Sequence, residues 1–98
     1  FIRSNHPLIA TVCGDELFVL QYTHHDAETI HPEQSEIELY NFVHQERKKS
    51  LLELEYHSPF QTLKPNEKMS SSMSWELIPL NNIREEREIR KILTTFVK

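Results

Sequence analysis

Apolar positions change their spacing along the chain, and each change marks an element. Leu8 to Cys13 (Leu-Ile-Ala-Thr-Val-Cys) and Leu17 to Tyr22 (Leu-Phe-Val-Leu-Gln-Tyr) are short runs rich in β-branched and aromatic residues. Only Gly14-Asp15-Glu16 separates them, so they predict an antiparallel hairpin. Gly14 is the sole glycine, and it can take the positive φ of such a turn at little cost. Thr23 to Ser35 is polar, contains Pro32 and reads as a loop. From Glu36 the pattern alternates, with Ile37, Leu39 and Val43 on one side and Glu36, Glu38, Tyr40 and Phe42 on the other. Leu52, Leu54 and Tyr56 alternate with Glu53, Glu55 and His57 in the same way. Together these predict a second hairpin, with His44 to Ser50 as its connection. A helix over 36–49 competes with that reading, because Ser35-Glu36-Ile37-Glu38 fits a capping box and the span contains neither Gly nor Pro. Leu51 to Tyr56 is a strand under either reading.

Residues 59–72 carry two prolines and a serine run, which predicts an extended, mobile connection. Met73 to Leu80 resumes strand-like alternation, and Pro79 must end that strand or place it at a sheet edge, having no N–H for a ladder. Asn82 then offers an N-cap, and Ile89, Ile92, Leu93, Phe96 and Val97 recur at helical spacing over about 82–97. A helix so short is marginal alone in water, so its stripe needs an apolar seat, and removing the chain from Ile89 onward is expected to unfold the domain. The fold expected is α+β: a small antiparallel β-sheet or partial barrel of about five strands, closed by a C-terminal amphipathic helix. Residues 1–98 are expected to form a single domain. Starting at Phe1, with its first methionine at Met69, the chain reads as a segment of a longer protein or a processed product.

Composition narrows the chemistry. One glycine excludes the glycine-built loops that cradle phosphate in P-loop and dinucleotide-binding enzymes. A single cysteine, Cys13, permits no internal disulfide and no paired-cysteine zinc site, which suggests a reducing, intracellular setting. Cys13 is expected at the end of a buried strand, as a small apolar thiol rather than a nucleophile. The net charge of −4 argues against nucleic acid as the main ligand, and no run is long enough to span a membrane. His24, His25 and His31, with Asp26 and Glu28 beside them, are the densest set of metal-ligating types. Their spacing follows no helical template, so solvated loop histidines are the default and a metal site the alternative. No acid and base pair stands out, so no catalytic residue and no cofactor is assigned. Most of the large aromatics, Trp75, Tyr40, Tyr56, Phe42 and Phe60, are expected in the core.

The order of hairpin, hairpin, loop, strand and terminal helix resembles that of pleckstrin-homology-like and polo-box-like modules, although no motif residue of either family is matched. That resemblance implies binding of peptides, phosphopeptides or lipid headgroups, with Arg47, Lys48 and Lys49 as the charge available for phosphate. The function expected is a non-enzymatic interaction domain binding another protein, or a segment of its own parent chain, through Tyr40, Phe42, Arg47, Lys48, Lys49 and Trp75. Two alternatives stand beside it. One is a small metal-dependent or cysteine enzyme built on His24 to His31, and the other a homodimer formed through the C-terminal helix.

Overall fold

The structure is a computed structural model that describes residues 2–3 and 6–96. Among the described residues the strands are β1 (Ile2–Arg3), β2 (Leu8–Cys13), β3 (Glu16–Tyr22), β4 (Ile37–Phe42), β5 (Leu51–Tyr56) and β6 (Met73–Pro79), followed by the helix α1 (Glu86–Thr94). The class is α+β, and all strand pairs are antiparallel. The strands divide between two sheets instead of joining one: β1-β2-β3-β6, and β4-β5 alone. The chain divides likewise into two compact units, Phe1–Tyr22 with Met73–Lys98, and Thr23–Ser72.

In the first unit β2 and β3 pair from Leu8↔Gln21 to Cys13↔Glu16 across a two-residue turn. Gly14 has φ +61, so the turn uses the left-handed conformation that glycine adopts at least cost. β6 adds on the far side of β3 in the register Leu17↔Ile78 and Leu20↔Trp75. Successive side chains alternate across the sheet. Leu8, Ala10, Leu17 and Val19 therefore share one face, and they form a buried cluster with Leu80, Ile89 and Leu93. Ile78, Ile83, Ile92 and Phe96 pack at its margin. Ile89 and Leu93 thus come from the predicted stripe, whereas its last member, Val97, lies outside the described residues. Lys98 does too.

The helix begins later than its sequence signal. Asn82 was expected to cap it, but α1 starts at Glu86 after Glu85, with no side-chain capping bond. Asn81 and Asn82 instead adopt left-handed backbone, φ 52 and 69, which asparagine tolerates better than most residues. The Asn82 N–H donates to Asp15 Oδ1 at 3.0 Å. Arg84 Nη1 donates to the same oxygen at 2.9 Å, and the Leu80 N–H donates to the Asp15 carbonyl at 2.8 Å. The turn competing with the helix is thus tied to the β2–β3 hairpin by one aspartate. Within α1, Glu86 pairs with Arg90 and Glu88 with Lys91, at helical spacings that favour it modestly.

The core is aliphatic. Among the described residues no aromatic side chain is buried, and Trp75, Tyr40, Phe42 and Phe60 are exposed. Trp75 lies on an outer strand and on the face away from the cluster, opposite Leu20 and in edge-to-face contact with Phe18 at 5.9 Å. Cys13 is exposed, not buried, because it is the last residue of β2 beside the turn.

In the second unit β4 and β5 pair from Ile37↔Tyr56 to Phe42↔Leu51. Within the span 36–49 the chain is therefore strand over Ile37–Phe42, and a short 3-10 turn at Arg47–Lys49 closes the span. Half of the capping box nevertheless forms, since the Ser35 N–H donates to Glu38 Oε1 at 3.0 Å. The loop 23–35 contains a 3-10 turn at Ala27–Thr29. Residues 57–72 have no helix or strand, and the Phe60 N–H donates to the Thr29 carbonyl at 2.8 Å. Ile30 is the one buried hydrophobic side chain among the described residues of this unit.

Candidate functional site

β6 is the outer strand of its sheet. The hydrogen bond from the Leu80 N–H to the Asp15 carbonyl fixes which of its residues face β3. Continuing that alternation, Ile78, Glu76 and Ser74 direct their backbone groups at Leu17, Val19 and Gln21, and Met73, Trp75 and Leu77 direct theirs outward. The side chains of the outward set also share the face opposite α1's cluster, and they are 46, 67 and 64% exposed. Pro79 follows in phase and has no N–H, so the outward ladder stops there. Glu76 is the only charged residue of the strand.

The β4–β5 pair carries a second concentration of chemistry. Its register places Glu38 opposite Glu55 and Tyr40 opposite Glu53, on the face that Phe42 and Leu51 complete. His57 follows Glu55 by two residues and holds the same face, since its N–H donates to the Glu36 carbonyl at 2.8 Å. Its Nε2 lies 3.8 Å from Glu55 Oε2, and its Nδ1 bonds the Ser35 carbonyl at 2.7 Å. One ligand atom from each of Glu38, Glu55 and His57 lies within 4.8 Å of the others. The Glu55 carboxyl is raised above its ordinary value, first by its hydrogen bond with Glu53, then by partial desolvation and the negative charge of Glu53 and Glu38.

The loop histidines do not converge. His24 Nδ1 and the His25 N–H each bond a different oxygen of Glu36, both at 2.7 Å, whereas His31 stands edge-to-face on Phe60 at 4.9 Å. His25 Nδ1 is enclosed with no hydrogen-bond partner among the described residues, and it lines a pocket of about 560 Å³ with Thr23, Tyr56, Ser58 and Lys68. Tyr40 and Phe42 share the acidic face of the hairpin, both about half exposed. Arg47, Lys48 and Lys49 are exposed in the connection between β4 and β5, where Glu46 pairs with Lys49 at 3.1 Å and reduces their field. Trp75 belongs to the other unit. Sequence reasoning missed Glu38, Glu55 and His57 as a set. The alternation put each on the polar side of its strand, and only the pairing register brings them together.

The molecule is an α+β protein of two antiparallel sheets and one C-terminal helix among its described residues. It belongs to the family described as a domain of unknown function, DUF4380, whose model matches residues 1–78. The matched segment contains the hairpin triad and the outward residues of β6, while α1 lies beyond it. No curated protein and no solved structure matches the chain. No described helix is long and apolar enough to cross a membrane.

Proposed function

We propose that the chain is a non-enzymatic protein-binding domain that takes an extended segment of a partner protein as an added strand along β6. The observation that carries this reading is the coincidence, at Met73, Trp75 and Leu77, of outward backbone groups and exposed apolar side chains. A strand edge of this kind is one that proteins usually blunt, unless another strand is to pair with it. Main-chain hydrogen bonds would supply affinity, and alternate side chains specificity. The fitting segment presents apolar residues beside Trp75 and Leu77 and, on its other face, a Lys or Arg beside Glu76. In this reading α1 closes the sheet on the side away from the apolar stripe and leaves the edge open. The exposed thiol of Cys13 suits a reducing, intracellular compartment.

Trp75 is the sole tryptophan, so its fluorescence reports on the edge alone. Titration with a synthetic peptide of alternating valine and lysine, as long as β6, should give a saturable blue shift. The shift should be lost in Leu77→Pro, which removes an outward N–H, with near-native circular dichroism. Absence of a saturable change up to millimolar peptide would overturn the proposal. So would sedimentation showing that the edge is already paired with a second copy of the chain.

A further inference from the structure

We infer that Glu38, Glu55 and His57 form a binding site for a divalent transition metal of the zinc class. Neutral imidazole with carboxylate is a donor set suited to such ions. The three ligand atoms, already within 4.8 Å of one another, need to close by at most about 1.4 Å to reach the roughly 3.4 Å separation that tetrahedral bonds of about 2.1 Å require.

The second argument is the state of the imidazole. The Ser35 carbonyl can only accept, so the 2.7 Å bond places a proton on His57 Nδ1. In the neutral ring Nε2 then carries the lone pair, and it lies 3.8 Å from Glu55 Oε2, too far for a hydrogen bond. A backbone carbonyl on the distal nitrogen is the usual orientation device of a metal-bound histidine. Ser35 serves both sides of the site, because its N–H holds Glu38 Oε1 at 3.0 Å.

The third argument is packing. The unit Thr23–Ser72 has one buried hydrophobic residue among those described, Ile30, and a sheet of only two strands. Small units with so little core are commonly stapled by a metal or a disulfide, and Cys13 is the only cysteine. The loop set His24, His25 and His31 shares this unit but lacks the convergence, since His24 Nδ1 bonds Glu36, His25 Nδ1 has no hydrogen-bond partner among the described residues, and His31 stands on Phe60.

Calorimetric titration of the whole chain with zinc at neutral pH should show one site with micromolar or tighter affinity. Cobalt should give a visible absorption band at the same stoichiometry. Glu55→Gln, which keeps the side-chain shape, and His57→Gln should each weaken zinc binding at least tenfold and abolish the cobalt band. Combined replacement of His24, His25 and His31 by alanine should leave affinity within about twofold. Affinity no tighter than millimolar, unaltered binding in Glu55→Gln, or loss of binding in the triple loop variant would overturn the inference.

Discussion

Glu38 stands directly opposite Glu55 across the β4–β5 pair, and Glu53 lies on the same face two residues before Glu55. Like charges so placed oppose pairing, since cross-strand neighbours are the unit by which a sheet is stabilised. Metal binding would turn this repulsion into coordination, but its effect can be tested in metal-free protein.

Glu55 is raised above its ordinary value of 4.5, with the Glu53 hydrogen bond as the largest cause. The folded hairpin therefore holds this proton more tightly than the unfolded chain does. The stability that protonated Glu55 contributes is present below about pH 4.5 and is lost as pH rises through the elevated folded value. Glu55→Gln should accordingly make metal-free protein more stable than the parent at pH 7, with a smaller gain at pH 4. Urea denaturation at the two pH values measures the difference, and carboxyl NMR titration should place Glu55 above 4.5. An equal gain at both pH values would contradict this assignment.

Ile89 and Leu93 are the two helix residues inside the buried cluster of the first unit, 4 and 8% exposed. Alanine at either should cost about 2–4 kcal/mol, as truncation of buried aliphatic side chains does. Ile92, packed only at the margin, should cost less, and exposed Lys91 should change stability by under about 0.5 kcal/mol. Urea denaturation followed by far-ultraviolet circular dichroism gives the ranking. A Leu93→Ala variant as stable as the parent would mean that α1 does not support the sheet.

Local signals were legible from sequence and non-local ones were not. The β2–β3 hairpin follows from two apolar runs around one glycine. β5 follows from strict alternation, and Pro79 leaves β6 to end there or lie at an edge, both of which hold. The capping-box signal at Ser35 to Glu38 misled because its hydrogen bond serves a strand as well as a helix: it orients Glu38 instead of starting a coil. Asn82 failed as a cap because Asp15, far away in sequence, holds its N–H in a left-handed turn. Division into two sheets depends on which strands meet, and that choice leaves no periodic trace. The same holds for Glu38, Glu55 and His57. Their polar sides were readable one strand at a time, but their convergence required the register. The expectation that most of the large aromatics lie in the core fails for Trp75, Tyr40, Phe42 and Phe60, because hydrophobicity says nothing about whether a strand is central or outermost.

Asp15 joins the tip of the β2–β3 hairpin to the segment between β6 and α1, and the charge of Arg84 decides how firmly. The Asp15 carboxyl is held below its ordinary value of 3.8, chiefly by the hydrogen bond from Arg84 and then by that from the Asn82 N–H. A depressed carboxylate contributes stability that is present above its unfolded value and disappears as pH falls through the lower folded value. Asp15→Asn retains an oxygen for Asn82 but removes the charge. It should therefore lower stability at pH 7 and converge with the parent once acid has neutralised Asp15, well below pH 3.8. Arg84→Met should reproduce the loss at pH 7, and the double variant should lose little more than either single one, because both remove the same pair. Both partners are about half exposed, so raising the salt concentration should shrink the difference between Asp15→Asn and the parent. A deficit that persists at low pH and high salt would show that Asp15 acts through the shape of the turn, with Arg84 as a bystander.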